Sequence, residues 1–144
     1  MDLLAGYNAQ AGRYAETTVP FDTLAGGPYY PKGSAGRTWM DAHKVALQEE
    51  MASMKAAGLT VLNHIDFIVL PKAVASHFAS RICVPPIKPG KPCSFQFNKV
   101  MAEIAHAMFT ELFSMYPDLD GILVRTGEHY IIDLPFHVAS KHQA

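Results

Sequence analysis

Residues 120–137 read Asp-Gly-Ile-Leu-Val-Arg-Thr-Gly-Glu-His-Tyr-Ile-Ile-Asp-Leu-Pro-Phe-His, and this stretch decides the fold class. It opens on the apolar run Ile122, Leu123, Val124, too short for a helix and β-branched enough for a buried strand. Arg125, Thr126, Gly127, Glu128, His129 and Tyr130 follow at once. An apolar strand that ends in a burst of hydrogen-bonding groups is how parallel α/β proteins build sites. Their strands are buried on both faces, so chemistry sits where the strands emerge.

The same grammar occurs upstream. Met40, Leu47, Met51 and Met54 fall at spacings of seven, four and three, a single apolar stripe on a helix over about 39–57. Thr38 and Asp41 form a capping-box pattern at its start, and Gly58 offers the left-handed residue that ends it. The three methionines of the stripe read as core filler. Leu59 to Leu70 is then an apolar run whose first part, 59–66, reads as a strand with polar Asn63, His64 and Asp66 at its end. Pro71 opens a short helix to about residue 80. A second long helix over 98–116 carries Met101, Ile104, Ala105, Met108, Leu112 and Met115 on one face, with Glu103, His106, Thr110, Glu111 and Ser114 on the other side. Two strands joined by a helical crossover should be parallel. The expected fold class is therefore α/β, parallel strands with crossover helices.

Residues 1–37 carry much punctuation and little periodicity, with Gly26-Gly27-Pro28 and the aromatic pair Tyr29, Tyr30 between turn signals. The stretch reads as an ordered loop region, either a surface meander or a substrate-facing loop. Cys83 and Cys93 flank a proline-rich loop, and two readings stay open: a disulfide in an oxidising compartment, or two thiols in a reducing one.

Composition narrows the function classes. The chain has 144 residues, 49% hydrophobic and 17% charged, with 12 basic against 13 acidic side chains, ordinary for a single globular domain. The balanced charge carries no basic footprint for nucleic acid. No apolar run approaches the roughly 20 residues of a membrane span. The first residues lack the basic and apolar regions of a signal peptide, and the compartment stays open.

Ala56-Ala-Gly-Leu-Thr-Val-Leu-Asn-His-Ile-Asp66 resembles the helix-to-strand step of β/α-barrel glycoside hydrolases. In those proteins the strand after Ala-Ala-Gly delivers a His or Asp to the sugar site. Tyr116-Pro-Asp-Leu-Asp-Gly-Ile-Leu-Val-Arg-Thr-Gly-Glu128 is similar to another such step, ending in a strand-terminal Glu. The resemblance, to the α-glucuronidase type or a relative, covers about residues 38–137. It implies βα units of a TIM-type barrel of eight strands. A complete barrel takes about 200–250 residues, so the expectation is a partial barrel segment, with self-association through exposed sheet edges.

Glycoside hydrolysis needs two carboxylates flanking the scissile bond. Glu128, presented after the flexible Gly127, and Asp66, at the end of the preceding strand, are the candidates. The competing readings are a loop cap or ion pair for Glu128, and a helix cap or a partner of Arg125 for Asp66. Arg125, near the end of a buried strand, must be paired: it holds a carboxylate ionised or clamps an acidic sugar group. His64, His129, Tyr130, Asp133 and His137, with Phe136 beside them, complete the expected substrate-binding rim. The expected function is thus a carbohydrate-active hydrolase segment that needs no cofactor. One alternative is a metal-dependent hydrolase on the same barrel, using His64, Asp66, His129 and His137. The other is a non-catalytic α/β ligand-binding module.

Overall fold

The computed structural model describes residues 15–66, 68–86, 93–125 and 135–139. The first element is a 3₁₀ helix, Ala15–Thr18, all four residues of which are buried. Helix α1, Ala35–Ala56, starts one turn earlier than the capping box suggested, because Ser34 caps it: its side chain accepts the N–H of Arg37 at 3.3 Å. Asp41 instead receives the Arg37 guanidinium, Nε donating at 3.2 Å. Met40, Leu47 and Met51 are buried as the stripe requires. Gly58, at φ 75°, ends the helix, its N–H donating to the Lys55 carbonyl at 2.9 Å.

Strand β1, Leu62–Asp66, follows, and β2, Val69–Pro71, comes three residues later. Helix α2, Lys72–Ile82, begins directly after Pro71. Helix α3, Lys99–Met115, is capped by Asn98, whose side chain accepts the Met101 N–H at 3.0 Å. Strands β3, Gly121–Arg125, and β4, His137–Ala139, complete the described elements. No helix among the described residues is long and apolar enough to cross a membrane.

Strands β1 and β3 pair in parallel, with Leu62 opposite Gly121 and Asp66 opposite Arg125. Beyond this pair the barrel expectation fails. The described residues form three α-helices and two separate sheets of two strands each, the second an antiparallel pair of β2 with β4. The apolar run 59–70 is therefore not one strand with a tail. It turns after Asp66, and its second half joins a different sheet in the opposite sense. The reason the sequence misled is physical: an apolar strand with a polar carboxyl end is the rule for any buried parallel pair. It does not encode how many strands lie alongside.

Apolar residues from every helix meet in one cluster. Leu47 and Met51 of α1, Val74 and Phe78 of α2, and Met101, Ile104, Met108 and Leu112 of α3 gather with Ile65 of β1. The α3 stripe is thus placed as its periodicity demands, but Glu111 is not on a solvated side. It is buried, and its Oε1 accepts both the backbone N–H and the hydroxyl of Thr23 at 2.6 Å. A disulfide joins Cys83 to Cys93, their Cα atoms 5.6 Å apart, and fixes the end of α2 to the segment entering α3. The Val84 N–H donates to Ser94 O at 2.9 Å and the Gln96 N–H to Ile82 O at 2.8 Å beside it. In the chain-entropy view a crosslink over so short a loop stabilises by about 2–3 kcal/mol.

Truncating a fully buried stripe residue removes transfer energy and leaves a cavity. Ile104→Ala is expected to lower the unfolding free energy by about 2–5 kcal/mol in urea titration. His106→Ala, on the exposed side of α3, should stay within about 0.5 kcal/mol of wild type.

Candidate functional site

The polar end of β1 does not open onto solvent. Asn63, His64 and Asp66 are all buried, Asp66 completely. Strand alternation puts His64 and Asp66 on one face and Asn63 with Ile65 on the other. What covers the end of β1 is the 3₁₀ helix, through a carboxylate. The backbone N–H of Asp66 donates to Glu16 Oε1 at 2.8 Å, across fifty residues of sequence. Glu16 is itself fully buried.

The next residues of the same turn make two further attachments. Thr18 Oγ1 donates to Ala15 O at 2.7 Å and lies 2.6 Å from the Tyr116 hydroxyl. A threonine hydroxyl has one proton, so the phenol is the donor in the second bond. Burial pushes the Tyr116 phenol strongly up in pKa. The nearby Glu16 charge adds to the rise. Thr17 faces His137, the first residue of β4.

His137 is buried, and its Nδ1 donates to Pro135 O at 2.7 Å, which fixes the proton on Nδ1 in the neutral ring. Nε2 is buried, and its approach to the Thr17 carbonyl falls short of hydrogen-bond geometry. Burial lowers the His137 pKa below 6.5. The two carbonyls oppose that shift without reversing it, and Lys72 adds to it. The ring also packs 5.5 Å from the half-buried Trp39, whose indole stacks at 3.9 Å on His43. Tyr30 closes this side, its hydroxyl donating to Phe136 O at 2.8 Å.

Of the residues read from the sequence, Asp66 and His137 are both attached to the 3₁₀ helix, Asp66 through its backbone N–H on Glu16 and His137 facing Thr17, while His64 shares the Asp66 face of β1. Arg125 is placed in register opposite Asp66. Glu128, His129, Tyr130 and Asp133 lie outside the described residues. Among the described residues no three His, Cys, Asp or Glu side chains are grouped to hold a metal ion. Glu16, Thr17, Thr18 and Trp39 were not singled out. The signal for Glu16 was an acid alone in the neutral stretch Ala-Glu-Thr-Thr-Val-Pro, 15–20, inside a region without periodicity.

Comparison with protein-family models, with curated proteins and with solved structures finds no match.

Two outcomes follow from these attachments. Glu16→Ala removes the acceptor for a buried N–H, and should destabilise the fold by about 1–3 kcal/mol from that bond alone. Glu16→Gln, which keeps a carbonyl acceptor, should lose less in the same titration. His137 sets a pH dependence. With its folded pKa depressed, the unfolded chain binds the extra proton as pH falls below about 6.5. Thermal stability should therefore be flat above that pH and decline below it. The decline should be shallower in His137→Asn, measured by circular dichroism melts from pH 8 to pH 5.5.

Proposed function

We propose that the carboxyl end of β1 belongs to a carbohydrate-hydrolysing site in which Asp66 supplies one carboxylate. The observation that carries this reading is a fully buried Asp66 at the end of a parallel strand, its backbone pinned by the buried Glu16. A carboxylate withdrawn from water costs several kcal/mol unless it is compensated, and the carboxyl end of a parallel strand is where α/β sheets place their sites. His64, two residues back on the same face, and His137, held neutral by burial, are the candidates for proton exchange. Trp39 offers the flat apolar surface on which sugar rings stack. The resemblance of 56–66 and 116–128 to glycoside hydrolase segments supports the same chemistry, with Glu128 the second carboxylate.

In this mechanism one carboxyl group protonates the leaving oxygen while the other attacks the anomeric carbon or activates water. The two must differ in environment, so that one stays protonated while the other is charged. Glu16 is a positioning residue here: it holds the strand end that carries Asp66 and does not touch substrate. Arg125, in register with Asp66, is the candidate clamp for an acidic sugar group.

The test is turnover of chromogenic aryl glycosides, glucuronides included, by the intact chain. Asp66→Asn and Glu128→Gln should each reduce turnover about 10²-fold or more with an unchanged far-ultraviolet spectrum. Turnover of no glycoside in the panel, or an Asp66→Asn enzyme within a few-fold of wild type, would sink the reading. Asp66 would then be a structural group under the 3₁₀ helix.

A further inference from the structure

Among the described residues the β1–β3 sheet has two strands, and part of its surface is exposed. Strand alternation and the parallel register put Leu62, His64, Gly121 and Leu123 on one face. His64 is buried, but Leu62 is 41% exposed and Leu123 54%. On the opposite face of β3, Val124 is 40% exposed. The two leucines form a continuous strip: a Cβ added at Gly121 would stand 3.1 Å from Leu62 Cδ2, so Leu62 lies over the glycine beside Leu123. Parallel strands are ordinarily buried on both faces, and a two-stranded sheet is marginal in water.

The two outer edges differ. At β1 the 3₁₀ helix intervenes, Glu16 taking the Asp66 N–H. At β3 no further strand pairs among the described residues. The strand itself, Gly-Ile-Leu-Val-Arg, carries no proline and no charge between its ends, the devices that normally blunt an edge.

We propose that a second copy of this chain pairs on the outer edge of β3, antiparallel and about a two-fold axis through Leu123. The occupant follows from self-complementarity. A two-fold contact puts the same patch on both sides, so the strand must match its own reverse. With the axis at Leu123, Leu123 stands opposite its equivalent, Ile122 opposite Val124, and Gly121 opposite Arg125. Every interior pair is then apolar on apolar, the pairing that stabilises antiparallel neighbours. The result is a four-stranded sheet, β1-β3 of one protomer continuing into β3-β1 of its partner. Leu62 and Leu123 of both copies share a single apolar strip. The pairing is independent of the carbohydrate reading, since it uses neither Asp66 nor Glu128.

The experiment is light scattering behind size exclusion on the intact chain over a wide concentration range. The wild type should dimerise. Leu123→Lys, at an exposed position, should be monomeric with an unchanged far-ultraviolet spectrum. Val45→Lys, on exposed α1 surface (49%), should still dimerise. Leu123→Cys should cross-link to a covalent dimer under mild oxidation and Val45→Cys should not, because only the first is set against its own equivalent. If Leu123→Lys fails to fold, the cross-linking result decides. A wild type that stays monomeric, a Leu123→Lys dimer, a dimer that Leu123→Cys does not cross-link, or growth beyond the dimer would each overturn the proposal.

Discussion

One buried carboxylate sets the terms for the rest of this structure. Glu16 sits without solvent exposure in a 3₁₀ helix of four buried residues and takes the backbone N–H of Asp66. A carboxyl group at that depth demands a hydrogen-bond partner, and the Asp66 N–H of β1 supplies one. The Glu16 charge is felt at Tyr116, the residue that caps α3. Thr18 binds the same phenol. Thus a four-residue turn near the start of the described chain ties β1 to the end of α3, while its Thr17 faces β4. These ties are non-local, and the turn has too few residues of its own to hold a shape without them.

A second carboxylate does the equivalent work at the other end of the sheet. Asp120, just before β3, accepts the Val61 N–H at 2.7 Å and the Lys55 ammonium at 2.8 Å. Those two donors hold its pKa below the ordinary carboxylate range. The Asp120 N–H returns the bond to Val61 O at 2.9 Å. Being exposed, the ion pair contributes little by Coulomb attraction. The contact's value is register: the Val61 N–H on the Asp120 carboxylate and the Asp120 N–H on Val61 O together fix which residue of β1 faces which residue of β3. A one-residue slip would exchange the faces of the strand, taking Ile65 out of the apolar cluster and putting a polar residue in its place.

How much of this was legible depends on whether the information was periodic. The stripes of α1 and α3 repeat at helical spacing, so their burial could be read residue by residue. Gly58 and Asn98 act as their types suggest. The parallel sense of β1 and β3 was legible from the crossover between them. The sheet order was not, because strand number depends on which distant segments find each other. Here β2 finds β4. The start of α1 was misplaced by one turn for a related reason. Ser34 and Thr38 are both good caps, and the choice between them was made by Arg37, which reaches Asp22 at 2.9 Å and Asp41 at 3.2 Å from the first turn. Glu16 was invisible as a core group since no spacing rule marks an acid as buried.

The distribution of polarity carries a further consequence. Core positions are close-packed and almost wholly apolar, yet the residues around the carboxyl end of β1 are Glu16, Thr17, Thr18, Asn63, His64, Asp66 and His137, all buried. A chain selected for stability alone would fill this volume with aliphatic side chains, because well-packed apolar groups equal or better a buried ionic network. Local departures from that rule gather where a site needs them. The exposed leucines of the same sheet depart from it in the opposite sense, apolar where water is. Both departures lie on one face of β1 and β3, Leu62 at the amino end, Leu123 in register with His64, and Asp66 at the carboxyl end. Pairing through β3 would bury the apolar end of that face and leave its polar end beneath the 3₁₀ helix. The two peculiarities of the sheet therefore do not compete for the same surface.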